Sequence, residues 1–284
     1  MITLSNGHAF EYMVSSGSLA FDGRGWLWEH PLRWIGALRP VLFTVVTKSL
    51  TRGPRRGNLR WSRPWSCARL LPGGSMVNAV GLTNPGIEWW CRKVGPKLDP
   101  KIPLVVSILG EARQLGAMAD MLDGFDLVGI EVNVSCPNMA HGLGEAETVA
   151  AGVRAVAAAS HHPIICKVSV VQDYLGIAAR LEGVAQALSF NSIPWEVAFP
   201  GRASPLAGLG GGGVSGRAAQ PHNWRAVAEV RESGCTIPLI ASSIMAYADL
   251  ARARAIGANA VSFGSIHMRT PWKPTAIVRR DLGA

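Results

Sequence analysis

The chain has 284 residues, 48% of them hydrophobic, and a formal net charge of +9, which is ordinary for one large α/β barrel with an ample core. No run of about eighteen uncharged apolar residues occurs, which excludes a membrane-spanning helix, and residues 1–12 lack the basic-then-apolar order of a signal peptide, so a cytoplasmic protein without membrane contact is expected. Its five cysteines (Cys67, Cys91, Cys136, Cys166, Cys235) are scattered and without CxxC or Cys/His ligand spacing, which excludes a disulfide framework and a structural zinc.

The first apolar run, EYMVSS (11–16), predicts a strand, a helix is expected around 30–37, and VLFTVV (41–46) predicts the second strand. Residues 47–84 form a long connection rich in Gly, Pro, Arg and Ser. Residues 1–70 carry ten Lys/Arg against three Asp/Glu, and five arginines (Arg52, Arg55, Arg56, Arg60, Arg63) lie close together with Trp61 and Trp65 among them. Arginines for phosphates and tryptophans for stacking would suit nucleic acid. No recognised nucleic-acid motif accompanies the patch, so it reads as a solvated loop or subunit contact, and no nucleic-acid partner is expected. Positive potential of this kind also attracts small anionic ligands.

A helix at 85–94 follows, and strands and helices then alternate. Strands are predicted at 102–108, 127–134, 163–169, 185–191, 237–242 and 260–265, and helices at 110–122, 145–160, 171–182, 219–233, 247–255 and 272–282. A second long connection, 192–218, contains the glycine run Gly210 to Gly213. Eight βα units without a dinucleotide fingerprint after the first strand predict a closed (β/α)8 TIM barrel, a single domain over 1–284, in preference to a doubly wound sheet. Long loops in a compact domain are usually functional, which marks 47–84 and 192–218.

In such a barrel the chemistry gathers at the C-terminal ends of the strands. Polar residues fall there in series: Ser16 and Gly17, Thr47 and Lys48, Ser107, then Asn133, Ser135 and Cys136, Lys167, Asn191 and Ser192, Ser242 and Ser243, and Gly264 with Ser265. A lysine in the apolar strand IICKVS is costly to bury and needs an anionic or acceptor partner. Cys166 beside it points to the other face. Singly, each residue has a plain structural use: a buried Cys is commonly inert, an Asn before Ser or Pro often makes an Asx turn, and GGGGVSG (210–216) is a weak phosphate-loop signal. Their coincidence at one end of one barrel points to a site.

KSLTRGPRRGN (48–58), MVNAVGLTNPG (76–86), NVSCPN (133–138), CKVS (166–169), NS (191–192), GGVSG (212–216) and FGS (263–265) occur in order and together resemble the dihydroorotate dehydrogenases. The resemblance spans about residues 12–280. The cysteine in NVSCPN is similar to that of the soluble class 1 enzymes, and NAVGLTNPG looks closer to the 1B catalytic subunit. The resemblance implies FMN as cofactor, oxidation of dihydroorotate to orotate, a homodimer, and an electron-transfer subunit carrying FAD and an iron–sulfur cluster.

It also implies roles. Cys136 would take the C5 proton and Lys167 would lie against the pyrimidine part of the flavin. Lys48, Asn78, Asn133 and Asn191 would hold the substrate's carboxylate and ring edges, with Ala79, Val80, Gly81, Leu82 and Ser192 beside them and Asn138 in support. Cofactor contacts would come from Ser16, Lys48, Ser49, Ser107, Asn133, Lys167, Phe190, Ser215, Gly216, Ser242, Ser243, Gly264 and Ser265. Two departures stand out: Ser107 replaces the usual Asn of the 1B pattern, and IASSIM (240–245) lacks the Gly-Gly pair whose amides cradle the flavin phosphate. Serine hydroxyls replacing those amides predict weaker FMN retention. A related dihydropyrimidine oxidoreductase and a non-catalytic barrel are the competing readings.

Overall fold

The computed structural model describes residues 1–60, 62–135, 145–190 and 192–283. Eight short strands close into a parallel barrel: β1 (Tyr12–Val14), β2 (Thr44–Val46), β3 (Leu104–Ile108), β4 (Gly129–Asn133), β5 (Ile164–Val168), β6 (Ala187–Phe190), β7 (Leu239–Ala241) and β8 (Ala260–Phe263), each bonded to its sequence neighbour, with β8 returning to β1. The eight-strand expectation is met, with β1 and β2 shorter than the apolar runs that announce them.

Alternation along each strand divides the core in two. In β5, Ile164, Cys166 and Val168 face the outer layer of helices while Ile165 faces inward, and in β3 Leu104, Val106 and Ile108 face out while Val105 faces in. The outer layer comprises α1 (His30–Trp34), α2 (Ile87–Lys93), α3 (Ala112–Leu122), α4 (Ala146–Ala159), α5 (Tyr174–Leu181), α6 (Gln220–Glu232), α7 (Ala248–Ala255) and α8 (Lys273–Asp281). α1 ends earlier than expected because Gly36 turns the chain with φ 74° and the amides of Ala37 and Leu38 fold back onto Leu32 O.

Two pieces of structure escape the sequence pattern. A two-stranded hairpin, Ile2–Thr3 with Ala9–Phe10, inserts Ile2, Leu4 and Phe10 among the inward residues Met13, Val46, Ile165 and Ile240, so it plugs one end of the barrel. At the other end the two long connections are joined as a four-stranded antiparallel sheet in the order Ile193–Pro194, Gly213–Gly216, Ser75–Asn78, Ala68–Leu71. Val77, Ala79, Ile193, Trp195, Leu206 and Val214 give this roof its own small core. Glycine is required in it: a Cβ on Gly212, whose φ is 83°, would stand 2.8 Å from Asn78 O. Among the described residues no helix is long and apolar enough to cross a membrane.

Candidate active site

Toward the roof the inward positions change from apolar to polar. Above Ile165 in β5 stands Lys167, and β4 contributes Glu131 and Asn133, at the register Asn133 opposite Lys167. Lys167 Nζ donates to Glu131 Oε1 at 2.6 Å, and Ser107 Oγ donates to the same oxygen at 2.7 Å. Both charges are almost wholly buried, so each removes much of the other's desolvation cost. Glu131 Oε2 has no hydrogen-bond partner among the described residues. A chain of hydroxyls runs on from this pair: Ser107 to Ser49 at 2.8 Å, Ser49 to Ser16 at 3.0 Å, and Asn133 Nδ2 donating to Ser49 at 3.0 Å. Asn133 Oδ1 in turn accepts from the Ser135 hydroxyl at 2.6 Å, which fixes the amide's orientation.

Between barrel and roof lie two adjoining cavities. The larger, about 690 Å³, runs from Glu131, Lys167 and Ser189 past Ser16, Gly17, Trp26 and Trp28 to Ser215, Gly216, Ser242, Ser243, Gly264 and Ser265. The smaller, about 380 Å³, is lined by Ser49, Asn133, the Ala79–Leu82 segment, Gly210, Gly212 and Gly213. Lys48, Lys167, Asn78, Val80 and Ser192 line both and mark where they meet. Volumes of this order suit a nucleotide-sized molecule in one chamber and a small ring in the other.

Lys48 is held at the junction by its strand end, its backbone N–H donating to Ala20 O at 2.8 Å. Burial, with the Lys167 charge adding to it, pulls its ammonium down to about 8 against an opposing effect from Cys67. Lys167 is paired with Glu131, so at this meeting point it is chiefly Lys48 that favours an anionic ligand or one that gains negative charge.

The far end of the larger cavity carries hydroxyls and glycines and, among the described residues, no cation. Ser243 adopts a left-handed backbone with φ 65°, a conformation that favours glycine. Its turn is fixed from outside: Gln220 Nε2 donates to Ser243 O and Trp224 Nε1 to Ser242 O, both at 2.9 Å, while Asp249 accepts from the amides of Met245 and Ala246, also at 2.9 Å. A Cβ on Gly216 would collide with Gly74 O and Ser265 Oγ.

Most of the anticipated residues therefore meet at one place. Lys48, Asn78, Ala79, Val80, Gly81, Leu82, Asn133 and Ser192 line the smaller cavity, and Ser16, Lys167, Phe190, Ser215, Gly216, Ser242, Ser243, Gly264 and Ser265 line the larger. Ser49 lines the smaller cavity. Ser107 lines neither: it is wholly buried behind Ser49 and Glu131 and acts through them. The Phe190 ring packs edge-on against Tyr174 in the outer core. Cys136, Asn138, Asn191 and Trp61 lie outside the described residues.

Sequence reasoning passed over four contributors. Glu131 is the anionic partner that Lys167 requires; the signal was present in GIEVN, where an acid interrupts an apolar strand at the same parity as Asn133. Trp26 and Trp28 stack at 5.4 Å with planes 3° apart and wall the larger cavity; GWLW following the first strand was their trace. Asn223, 1% exposed in α6, donates to the hydroxyls of Ser242 at 2.9 Å and Ser243 at 3.4 Å. Nothing in the sequence separates it from a surface helix residue.

A closed (β/α)8 barrel with its polar groups, two cations and two joined cavities at the C-terminal strand ends defines an enzyme of the barrel class. Residues 40–282 match the family model described as dihydroorotate dehydrogenase. The chain is 35% identical over 276 residues to the dihydroorotate dehydrogenase B (NAD(+)) catalytic subunit of Desulforudis audaxviator, covering 93% of this chain and 85% of that protein. It is also 35% identical over 271 residues to the dihydroorotate dehydrogenase A (fumarate) of Lacticaseibacillus paracasei, covering 89% and 86%. With the B-type catalytic subunit of Latilactobacillus sakei the identity is 32% over 255 residues, 84% of this chain and 80% of that protein. The chain belongs to the dihydroorotate dehydrogenase family of flavoprotein oxidoreductases.

Proposed function

We propose that this protein oxidises (S)-dihydroorotate to orotate in pyrimidine biosynthesis, with FMN in the larger cavity and the substrate in the smaller. The observation that carries this reading is the junction of the two chambers at Lys48 and Lys167. The residues fit a flavin nucleotide: Glu131 Oε2 is, among the described residues, an unpartnered acceptor beside Lys167, two tryptophans wall the larger cavity, and its far end is a cradle of hydroxyls and close-packed glycine suited to phosphate. When bound, the flavin supplies the acceptor for the hydride from C6 of the substrate.

The protein's own part is to bind, orient and move a proton. Lys48 offers its ammonium to the substrate carboxylate, with Asn78, Asn133 and Asn191 matching the donors and acceptors of the ring. Cys136, the residue that follows Ser135 in the sequence, removes the C5 proton. A thiol ordinarily titrates near 8.5, so a base of this kind needs a neighbouring cation or hydrogen-bond donor to act near neutrality. Lys167, oriented by Glu131 and Ser107, stabilises negative charge gathering on the flavin side. The roof excludes water. The resemblance to B-type subunits supports a homodimer that works with a subunit carrying FAD and an iron–sulfur cluster.

The test is the visible spectrum of the purified protein reconstituted with FMN, followed by anaerobic addition of dihydroorotate. Bleaching of the flavin band with orotate formed in equal amount is the expected result. A spectrum unchanged by dihydroorotate but bleached by another dihydropyrimidine would move the substrate; a folded protein that binds no flavin would support the non-catalytic barrel.

A further inference from the structure

The turn after β7 raises a question of donors. A phosphate group at the far end of the larger cavity needs several hydrogen bonds, and among the described residues no cation lines that end. The amides of Met245 and Ala246, which a turn can offer, are both taken by the Asp249 carboxylate. The hydroxyl-bearing residues that line this end include Ser242 and Ser243, on the turn itself.

A serine hydroxyl has one proton to give and two lone pairs. Left to itself it rotates, and its proton is readily lost to the nearest carbonyl. Here each nearby carbonyl already accepts one hydrogen bond, Ser242 O from Trp224 and Ser243 O from Gln220. The lone pairs on the inner side are engaged as well, because the Asn223 amide nitrogen donates to both hydroxyl oxygens. Because the Asn223 N–H groups point at these two oxygens, the hydroxyl protons are turned away from that side and have the cavity to donate into. The Asn223 oxygen has no partner among the described residues, which costs stability and makes the amide's placement hard to explain by packing alone.

We propose that Asn223 is a positioning residue that turns the Ser242–Ser243 pair into a donor edge for the phosphate of a flavin nucleotide. It replaces by side-chain orientation what a pair of glycines supplies by backbone geometry. The inference rests on the flavin-nucleotide reading above. It also alters the expectation from the sequence that rotating hydroxyls would form a loose cradle, since these hydroxyls are held.

Two ligands that differ only in the phosphate test it: FMN and riboflavin, titrated into flavin-free full-length protein and followed by quenching of flavin fluorescence. The wild type should bind FMN more tightly than riboflavin. Asn223→Ala should weaken FMN about tenfold, on the scale of one hydrogen bond to a charged group, and leave riboflavin unchanged. Asn223→Asp, of the same shape, accepts both hydroxyl protons and adds negative charge, so its FMN affinity should fall further still while riboflavin holds. In a Ser242→Ala/Ser243→Ala background, Asn223→Ala should have no further effect. Unchanged FMN preference in the Asp variant, or parallel loss of both ligands in the variants, would overturn the role of Asn223 with the flavin reading intact. A folded wild type that binds neither ligand would overturn that reading and this inference with it.

Discussion

Lys167 and Glu131, on adjacent barrel strands, form an ion pair of 2.6 Å whose two side chains are 7% and 1% exposed. Such a pair contributes little against a neutral replacement of both partners, but removing one strands the other's charge. Lys167→Met should therefore destabilise the fold by about 3–5 kcal/mol. Lys167→Met combined with Glu131→Gln should recover more than half of that loss. Urea unfolding of the two variants and the wild type, at constant slope, measures both.

Lys48 gives the site a pH limit. In the ligand-free protein burial holds its ammonium at about 8, and a bound carboxylate would raise it by favouring the charged form. Orotate affinity should thus be flat below pH ~8 and weaken by up to about tenfold per pH unit above it, since binding must then take up a proton. Calorimetric titration at several pH values reads this directly. Lys48→Met should bind orotate weakly at every pH and lose the dependence.

Glu29 affects stability in a different range. It is fully buried, with Oε2 accepting from Trp26 N at 2.8 Å and Oε1 unpartnered among the described residues, and burial raises its carboxyl to about 7. A carboxyl whose folded value lies above its unfolded value stabilises fully below the unfolded value, and that contribution is lost as pH rises through the folded one. Stability should fall by ~2 kcal/mol between about pH 4.5 and 7 from this group. Glu29→Gln keeps the acceptor for Trp26 and removes the charge. Its Tm should exceed that of the wild type at pH ~8, with the difference vanishing near pH ~4.

Cys136 is assigned the proton from C5. Cys136→Ala should still bind flavin but slow its reduction by dihydroorotate at least about a hundredfold, the scale of a lost general base. Cys136→Ser should retain more activity at high pH than at neutrality. Stopped-flow reduction at the wild-type rate in the alanine variant would remove Cys136 from the mechanism.

The barrel was legible because buried parallel strands are written as β-branched runs, and Lys167 and Asn133 were legible because they interrupt those runs near their ends. Glu131 was equally visible in principle; only the register of β4 against β5 makes it the partner of Lys167. The roof was not legible. Its strands are two to four residues long, and one is entered through a glycine run whose Gly212 passes against Asn78 O, so composition that reads as a flexible loop there reflects close packing. Asn223 escaped for a related reason: its purpose depends on which helix packs behind β7, a tertiary fact with no local signature.

The roof sheet has a consequence for the order of events in folding. Ser75–Asn78 and Gly213–Gly216 come from opposite halves of the chain, so their pairing closes a very long loop and is entropically late. The barrel strands between them pair with sequence neighbours and can assemble first. A contact formed after the rate-limiting barrier leaves the folding rate alone and governs unfolding. Ligands held beneath the roof should accordingly slow unfolding without hastening refolding, and the four strands β3 to β6 can stand paired before the protein possesses anywhere to bind.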